Sequence, residues 1–161
     1  MEENGQVVPP TAPNGVFAVT VDEKGRLKLP ASMLAYLEGF GEERKVFITT
    51  FDELEARIYP ISVWRETAKR LQEPSEENFE ILEDLAKVAA HYGKDVDVDA
   101  QGRLTLPDTL RKTMSLEKDE ARLSCFQNRI TVWNSAEYEK QLAAARNNLP
   151  EKAKLAKRKG L

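Results

Sequence analysis

The chain is poor in the residues that usually carry covalent chemistry. Among 161 residues there is one cysteine, Cys125, and one histidine, His91. A single cysteine has no internal partner, so no disulfide framework is available, and Cys125 reads as a small buried apolar residue on a strand. With one histidine, no nucleophile–histidine–acid set stands out, and no phosphate-cradling glycine loop of Walker spacing is present. His91 also lacks partners at metal-ligand spacing, so it reads as structural. An enzyme is therefore the weakest reading: no catalytic residue, metal ligand or cofactor is assigned. No apolar run reaches the roughly 18 residues of a membrane helix, and no basic-then-apolar leader opens the chain. A cytoplasmic protein is the default expectation.

Positive charge is not in excess either. Net charge is −3, with 32% of residues charged. The distribution says more than the total. Lys152, Lys154, Lys157, Arg158 and Lys159 stand against Glu151 alone near the C-terminus, whereas Glu73, Glu76, Glu77, Glu80, Glu83 and Asp84 form an acidic block. Any nucleic-acid surface is expected away from that block.

What the chain does have is a repeat. Val21 to Pro30 reads VDEKGRLKLP, and Val98 to Pro107 reads VDAQGRLTLP, displaced by 77 positions with seven of ten residues identical. Two copies mean a duplicated unit, since a solenoid needs three or more. Each copy begins with period-2 alternation, Phe17-Val19-Val21 and Val96-Val98, as in a half-buried strand. Asp22 and Asp99 start a turn, because the side chain can accept from the backbone two residues on. Gly25 and Gly102 supply a residue free to take positive φ. A second alternating run follows, with Leu27 and Leu29 opposing Arg26 and Lys28, and Leu104 and Leu106 opposing Arg103 and Thr105. Pro30 and Pro107 then open helices. The unit is strand, turn, strand, helix, with an outward arginine directly after each turn.

The surroundings repeat as well. Residues 1–15 are expected to be a disordered tail. The helix from Pro30 carries Met33, Leu34 and Leu37 on one face. Lys45 to Phe51 and Arg57 to Tyr59 read as strands ended by Pro60, with Ser62 as cap of a helix holding Trp64, Ala68 and Leu71 inward. Ser75 is expected to cap an acidic helix with Phe79, Leu82, Leu85 or Ala86, and Ala89 inward, ended by Gly93. In the second half, Leu110, Met114 and Leu116 follow Pro107. Ala121 to Phe126 and Arg129 to Trp133 form a hairpin, with Trp133 answering Tyr59. Ser135 caps a helix that Pro150 closes, and the basic tail follows as either a solvated end or a DNA arm.

The bends Asp22-Glu23-Lys24-Gly25-Arg26 and Asp99-Ala100-Gln101-Gly102-Arg103, each followed by Leu-x-Leu-Pro, resemble the paired motif of the MraZ family. These are bacterial transcriptional regulators built from two tandem SpoVT/AbrB-type units. The resemblance covers roughly Val16 to Arg146, including Tyr59-Pro60…Trp64, the acidic connecting helix and Leu110-Arg111. It implies an α+β fold of two pseudo-symmetric β-hairpin/helix halves, of the swapped-hairpin, small β-barrel type, joined by helices. The expected division is 16–63 and 94–137 for the two units, 64–93 for the connecting helices, and 138–161 for a C-terminal helix with its basic tail. It also implies a nucleoid-associated regulator of the division and cell-wall gene cluster. Such a protein binds double-stranded DNA at short direct repeats upstream of its own operon and assembles as a homo-oligomeric ring. No membrane or small-molecule ligand is implied. The family's motif arginines fall on Arg26 and Arg103, and its aspartates on Asp22 and Asp99. Leu34 departs from the pattern, because the family commonly has arginine there, as the second copy does at Arg111.

The residues leave two readings of the bend open. Asp22 and Arg26 can form a local pair, worth about 0–1 kcal/mol when exposed. Alternatively the arginine meets phosphate or a guanine edge, for which its planar fork is suited, and the aspartate shapes the turn. Lys24 and Lys28 extend the strip of Arg26, while Gln101 and Thr105 take their places in the second copy. Arg26 is thus expected to be the principal contact. The competing function is an oligomeric protein-interaction module of AbrB-like fold, in which DNA binding is incidental.

Overall fold

Alternating runs become strands, and runs that follow a proline become helices, in a computed structural model that describes residues 2–3, 6–7, 10–41, 44–73, 77–117 and 120–161. The order is β1 (Glu2–Glu3), β2 (Gln6–Val7), β3 (Val16–Thr20), β4 (Arg26–Lys28), α1 (Ala31–Glu38), β5 (Lys45–Thr49), β6 (Ala56–Pro60) and α2 (Ile61–Gln72). Then come α3 (Phe79–Tyr92), β7 (Lys94–Asp97), β8 (Arg103–Thr105), α4 (Asp108–Thr113), β9 (Glu120–Phe126), β10 (Arg129–Asn134), α5 (Ser135–Ala145) and α6 (Leu149–Arg158). The fold is α+β with antiparallel pairing throughout.

Six strands form one sheet in the order β3-β9-β10-β6-β5-β7, and β4 pairs with β8 in a separate ribbon. The strands on either side of each bend therefore do not pair with each other. β3 of the first copy joins the hairpin of the second, and β7 of the second joins the hairpin of the first. The ribbon register places Leu27 opposite Leu104, its own duplicate. The two copies are thus related by a pseudo-twofold axis that passes through the ribbon.

The same symmetry organises the core. Val21, Leu27, Leu29 and Met33 are buried, and so are their counterparts Val98, Leu104, Leu106 and Leu110. Ile58 and Ile130, paired at the centre of the sheet, complete the cluster. Burying each such side chain contributes about 1.5–3 kcal/mol. The aromatic correspondence also holds. Tyr59 packs on Trp64 of α2 at 5.2 Å, and Trp133 packs on Tyr138 of α5 at 5.6 Å.

Several local expectations are corrected. Pro60, with φ −54°, directly precedes the first residue of α2, and Ser62 lies inside the helix without capping it. Asn134 rather than Ser135 caps α5, its Oδ1 accepting from Glu137 N at 2.7 Å. Ser135 instead donates to the carbonyl of Glu120 at 2.8 Å. Ser75 lies outside the described residues. Phe79 is 57% exposed rather than inward, because α3 meets the sheet at its other end. There Thr49 donates to the carbonyl of Ala89 at 2.7 Å, ten residues or about 15 Å along the helix. Pro150 does not close a helix: it sits in the first turn of α6, after Asn148 in the left-handed region at φ 54°. Lys152, Lys154, Lys157 and Arg158 are therefore helical, and Lys159 caps the helix end. Among the described residues, no helix is long and apolar enough to cross a membrane.

Candidate nucleic-acid interface

Each bend is built from one carboxylate. Asp22 Oδ1 accepts from the backbone N–H of Lys24 and of Arg26, both at 2.9 Å. Asp99 Oδ1 accepts from Gln101 and Arg103 at the same distances. The backbone closes the loop in both copies, from Asp22 N to Arg26 O and from Asp99 N to Arg103 O, each 2.9 Å. Gly25 and Gly102 take φ +79° and +82°, where a side chain is strained. The backbone N–H of Arg26 holds the Asp22 carboxyl below its ordinary range, with the Arg26 guanidinium and the Lys24 N–H adding to it. The backbone N–H of Arg103 does the same for Asp99.

The swap seats each bend on the other copy. Leu106 N donates to Gly25 O at 2.9 Å, and Leu29 N donates to Gly102 O at 2.8 Å. Above Gly25 lies the guanidinium of Arg111, so close that a Cβ would overlap it. Above Gly102 lies Leu34, whose Cδ2 would be 3.2 Å from a Cβ. Leu34 and Arg111 are therefore equivalent: each helix caps the opposite bend with the side chain at this position. Arg111 also pairs with Asp108 and is largely buried, which makes it a packing residue. The leucine at position 34 fills the same seat without charge.

The ribbon's outward face carries the residues singled out by the repeat. Leu27 and Leu104 point inward, so Arg26, Lys28, Arg103 and Thr105 point outward. Arg26 stands opposite Thr105, and Lys28 stands opposite Arg103. The two arginines are thus diagonal on one small surface, beside a groove of about 400 Å³ lined by Thr20, Asp22, Arg26, Leu27, Lys28 and Arg103. Like charges directly across a ladder are destabilising, so the Lys28–Arg103 pair favours any anion that approaches. Lys24 is exposed at the tip of the first bend.

The copies differ in how they hold the arginine. Arg26 Nε donates to Asp22 Oδ2 at 2.9 Å, with the Arg26 side chain 51% exposed. Arg103 contacts Asp99 through its backbone N–H. The Asp99 region is instead reached by Arg44, whose Nη1 donates to Asp99 O at 3.2 Å while Nη2 pairs with Glu38 at 3.1 Å. Sequence reasoning missed Arg44, because nothing local ties a loop residue before β5 to a bend 55 positions away. The thiol of Cys125 is pushed up to about 11 by burial, and His91 is exposed with its ring edge against Tyr92.

Comparison with known proteins covers most of the chain. Residues 93–159 match the family model described as "MraZ protein, putative antitoxin-like". A "Transcriptional regulator MraZ" of Koribacter versatilis is 30% identical over 131 residues, 81% of this chain and 88% of the relative. One of Acidobacterium capsulatum is 39% identical over 106 residues, 65% and 70% of the two chains. One of Legionella pneumophila is 31% identical over 150 residues, 87% and 95%. These relatives carry the name of regulators rather than of enzymes. With similarity of that extent, on a duplicated bend-and-ribbon fold, the chain belongs to the MraZ family.

Proposed function

We propose that this chain is a transcriptional regulator that binds double-stranded DNA through the outward face of the β4–β8 ribbon. Arg26 is the principal contact, with Arg103, Lys28 and Lys24 beside it. Asp22, Gly25, Asp99 and Gly102 shape the bends and do not touch DNA, since a carboxylate facing phosphates is repelled. The observation that carries this reading is the ribbon register. It gathers cations from both copies on one exposed face and leaves Lys28 opposite Arg103. The Asp22–Arg26 pair is no obstacle, because a solvent-exposed pair is weak and readily exchanged for a phosphate.

The finer reading follows the family resemblance. Several copies assemble as a ring and present the ribbon repeatedly to short direct repeats upstream of the chain's own division and cell-wall operon, in the nucleoid. Linked contacts gain from high effective concentration, which compensates for a net charge of −3. Titrating labelled upstream DNA at several salt concentrations tests the proposal. Steeply salt-dependent binding supports it, and no binding at low salt discards it.

A second reading is favoured by the Asp22–Arg26 ion pair itself. In an oligomeric interaction module the pair would stiffen a protein-contacting bend, and DNA binding would be incidental. In that case Arg26→Ala lowers partner affinity or assembly and leaves DNA affinity unchanged.

A further inference from the structure

The face of the sheet opposite the ribbon holds arginines that take no part in the DNA-binding proposal. Ile58 and Ile130 enter the core, so Arg57 and Tyr59 on β6, and Arg129 and Thr131 on β10, stand on the other side. Arg57 lies opposite Thr131, which sets Arg129 diagonally beside it. Helix α2 flanks these residues on one side and the Gln127–Asn128 turn on the other. Between them runs a groove of about 760 Å³, lined among others by Arg57, Tyr59, Thr67, Arg70, Asn128 and Arg129.

Positive charge here exceeds its local compensation. Arg57 donates to Tyr59 Oη at 3.0 Å and to Glu55 Oε1 at 3.4 Å, and Arg129 donates to Gln127 Oε1 at 3.1 Å. The Nε atoms of both arginines are buried without a hydrogen-bond partner. Glu66, the carboxylate that lines the groove, is engaged by Lys69 at 3.2 Å. The guanidiniums lie over aromatic rings, Arg57 on Phe51 at 4.9 Å and Arg129 on Phe126 at 5.8 Å. Burial, and then the charge of Arg57, make Arg129 less ready to hold its proton. Two like charges held together in partial burial are relieved by one dianion. The arginine fork matches the oxygens of a phosphoryl group.

We propose that this groove binds a small phosphorylated molecule, its phosphoryl group seated between Arg57 and Arg129 with Arg70 at the rim. A phosphoryl group could also come from the DNA backbone. The free molecule is favoured because the groove lies on the side of the sheet away from the ribbon.

The test titrates the full chain with inorganic phosphate and with AMP, at ionic strength held constant with potassium chloride, followed by calorimetry. Saturable binding is expected, weakened at least tenfold in Arg57→Gln and Arg129→Gln. Arg70→Gln, at the exposed rim, is expected to weaken binding severalfold and serves where the inner substitutions unfold the chain. Binding no stronger than that of chloride overturns the proposal, as does binding unchanged in all three groove variants. If Arg129→Gln or Arg70→Gln lowers DNA affinity as much as Arg26→Gln does, the occupant is DNA. If either shifts the sedimentation profile, the arginines serve contacts between copies. Both results also overturn it.

Discussion

Leu27 lies directly opposite Leu104, the residue that duplicates it 77 positions later, and both are 2% exposed. The contact of a residue with its own copy puts the symmetry axis inside the ribbon. The two bends consequently depend on each other, since neither copy can close its hydrophobic face alone. Leu27→Ala is expected to destabilise the chain by about 2–5 kcal/mol, and Leu104→Ala by a similar amount. In urea unfolding the double variant should fall short of the sum, because the two side chains share one site. Full additivity would show that they act independently.

The bend glycines should differ in tolerance. Both occupy the left-handed region, so alanine at either costs about 1–2 kcal/mol in backbone strain. At Gly25 the new methyl also overlaps the largely buried guanidinium of Arg111, whereas at Gly102 it meets the flexible tip of Leu34 at 3.2 Å. Gly25→Ala is therefore expected to lower the melting temperature more than Gly102→Ala. Arg111→Leu, which copies the Leu34 arrangement, should recover part of the Gly25→Ala loss. Equal losses at the two glycines would count against the Arg111 seat.

Arg26→Ala is expected to reduce affinity for upstream DNA by about tenfold. The salt slope should fall by about 0.9 for each phosphate that the arginine neutralises. Circular dichroism and sedimentation should be unchanged, because the Asp22 bend is held by backbone bonds to its carboxylate. Arg103→Ala should act in the same direction. A variant that fails to assemble as well as to bind DNA would make the arginine structural.

Acid should loosen the bends. The carboxyls of Asp22 and Asp99 are held below their ordinary range by the backbone N–H groups they accept from. Their folded-state acidity thus exceeds that of the unfolded chain. The stabilisation is fully present above the unfolded value, about pH 4, and fades as pH falls through the lower folded value. Urea midpoints measured from pH 6 downward should decline less steeply below pH 4 in Asp22→Asn/Asp99→Asn than in the parent chain. Parallel curves would show that other carboxylates govern acid stability.

The cysteine should be inert. With its thiol pushed up to about 11 by burial, Cys125 carries little thiolate at pH 8. Its reaction with a disulfide reagent is expected to be slow in the folded chain and fast in urea. Comparable rates in the two conditions would contradict this.

Whatever depends on near neighbours was legible in the order of residues. Seven identities in ten announced the duplication. Alternation put Leu27 and Leu104 inward with Arg26 and Arg103 outward, and the aspartate–glycine spacing specified the bend, because a side chain two residues away decides that geometry. Resemblance to a known family supplied the exchange of strands in outline. Which strand pairs with which was settled by packing in three dimensions. A period of two tells a strand's faces and not its partner, so β3 and β4 on either side of a bend could have formed a simple hairpin. Instead each finds its partner in the other copy. The same gap hid Arg44 beside Asp99, the common seat of Leu34 and Arg111, and the paired arginines behind β6 and β10. These contacts span about 50 to 90 positions of chain, and packing sets them, because no local rule ties residues so far apart.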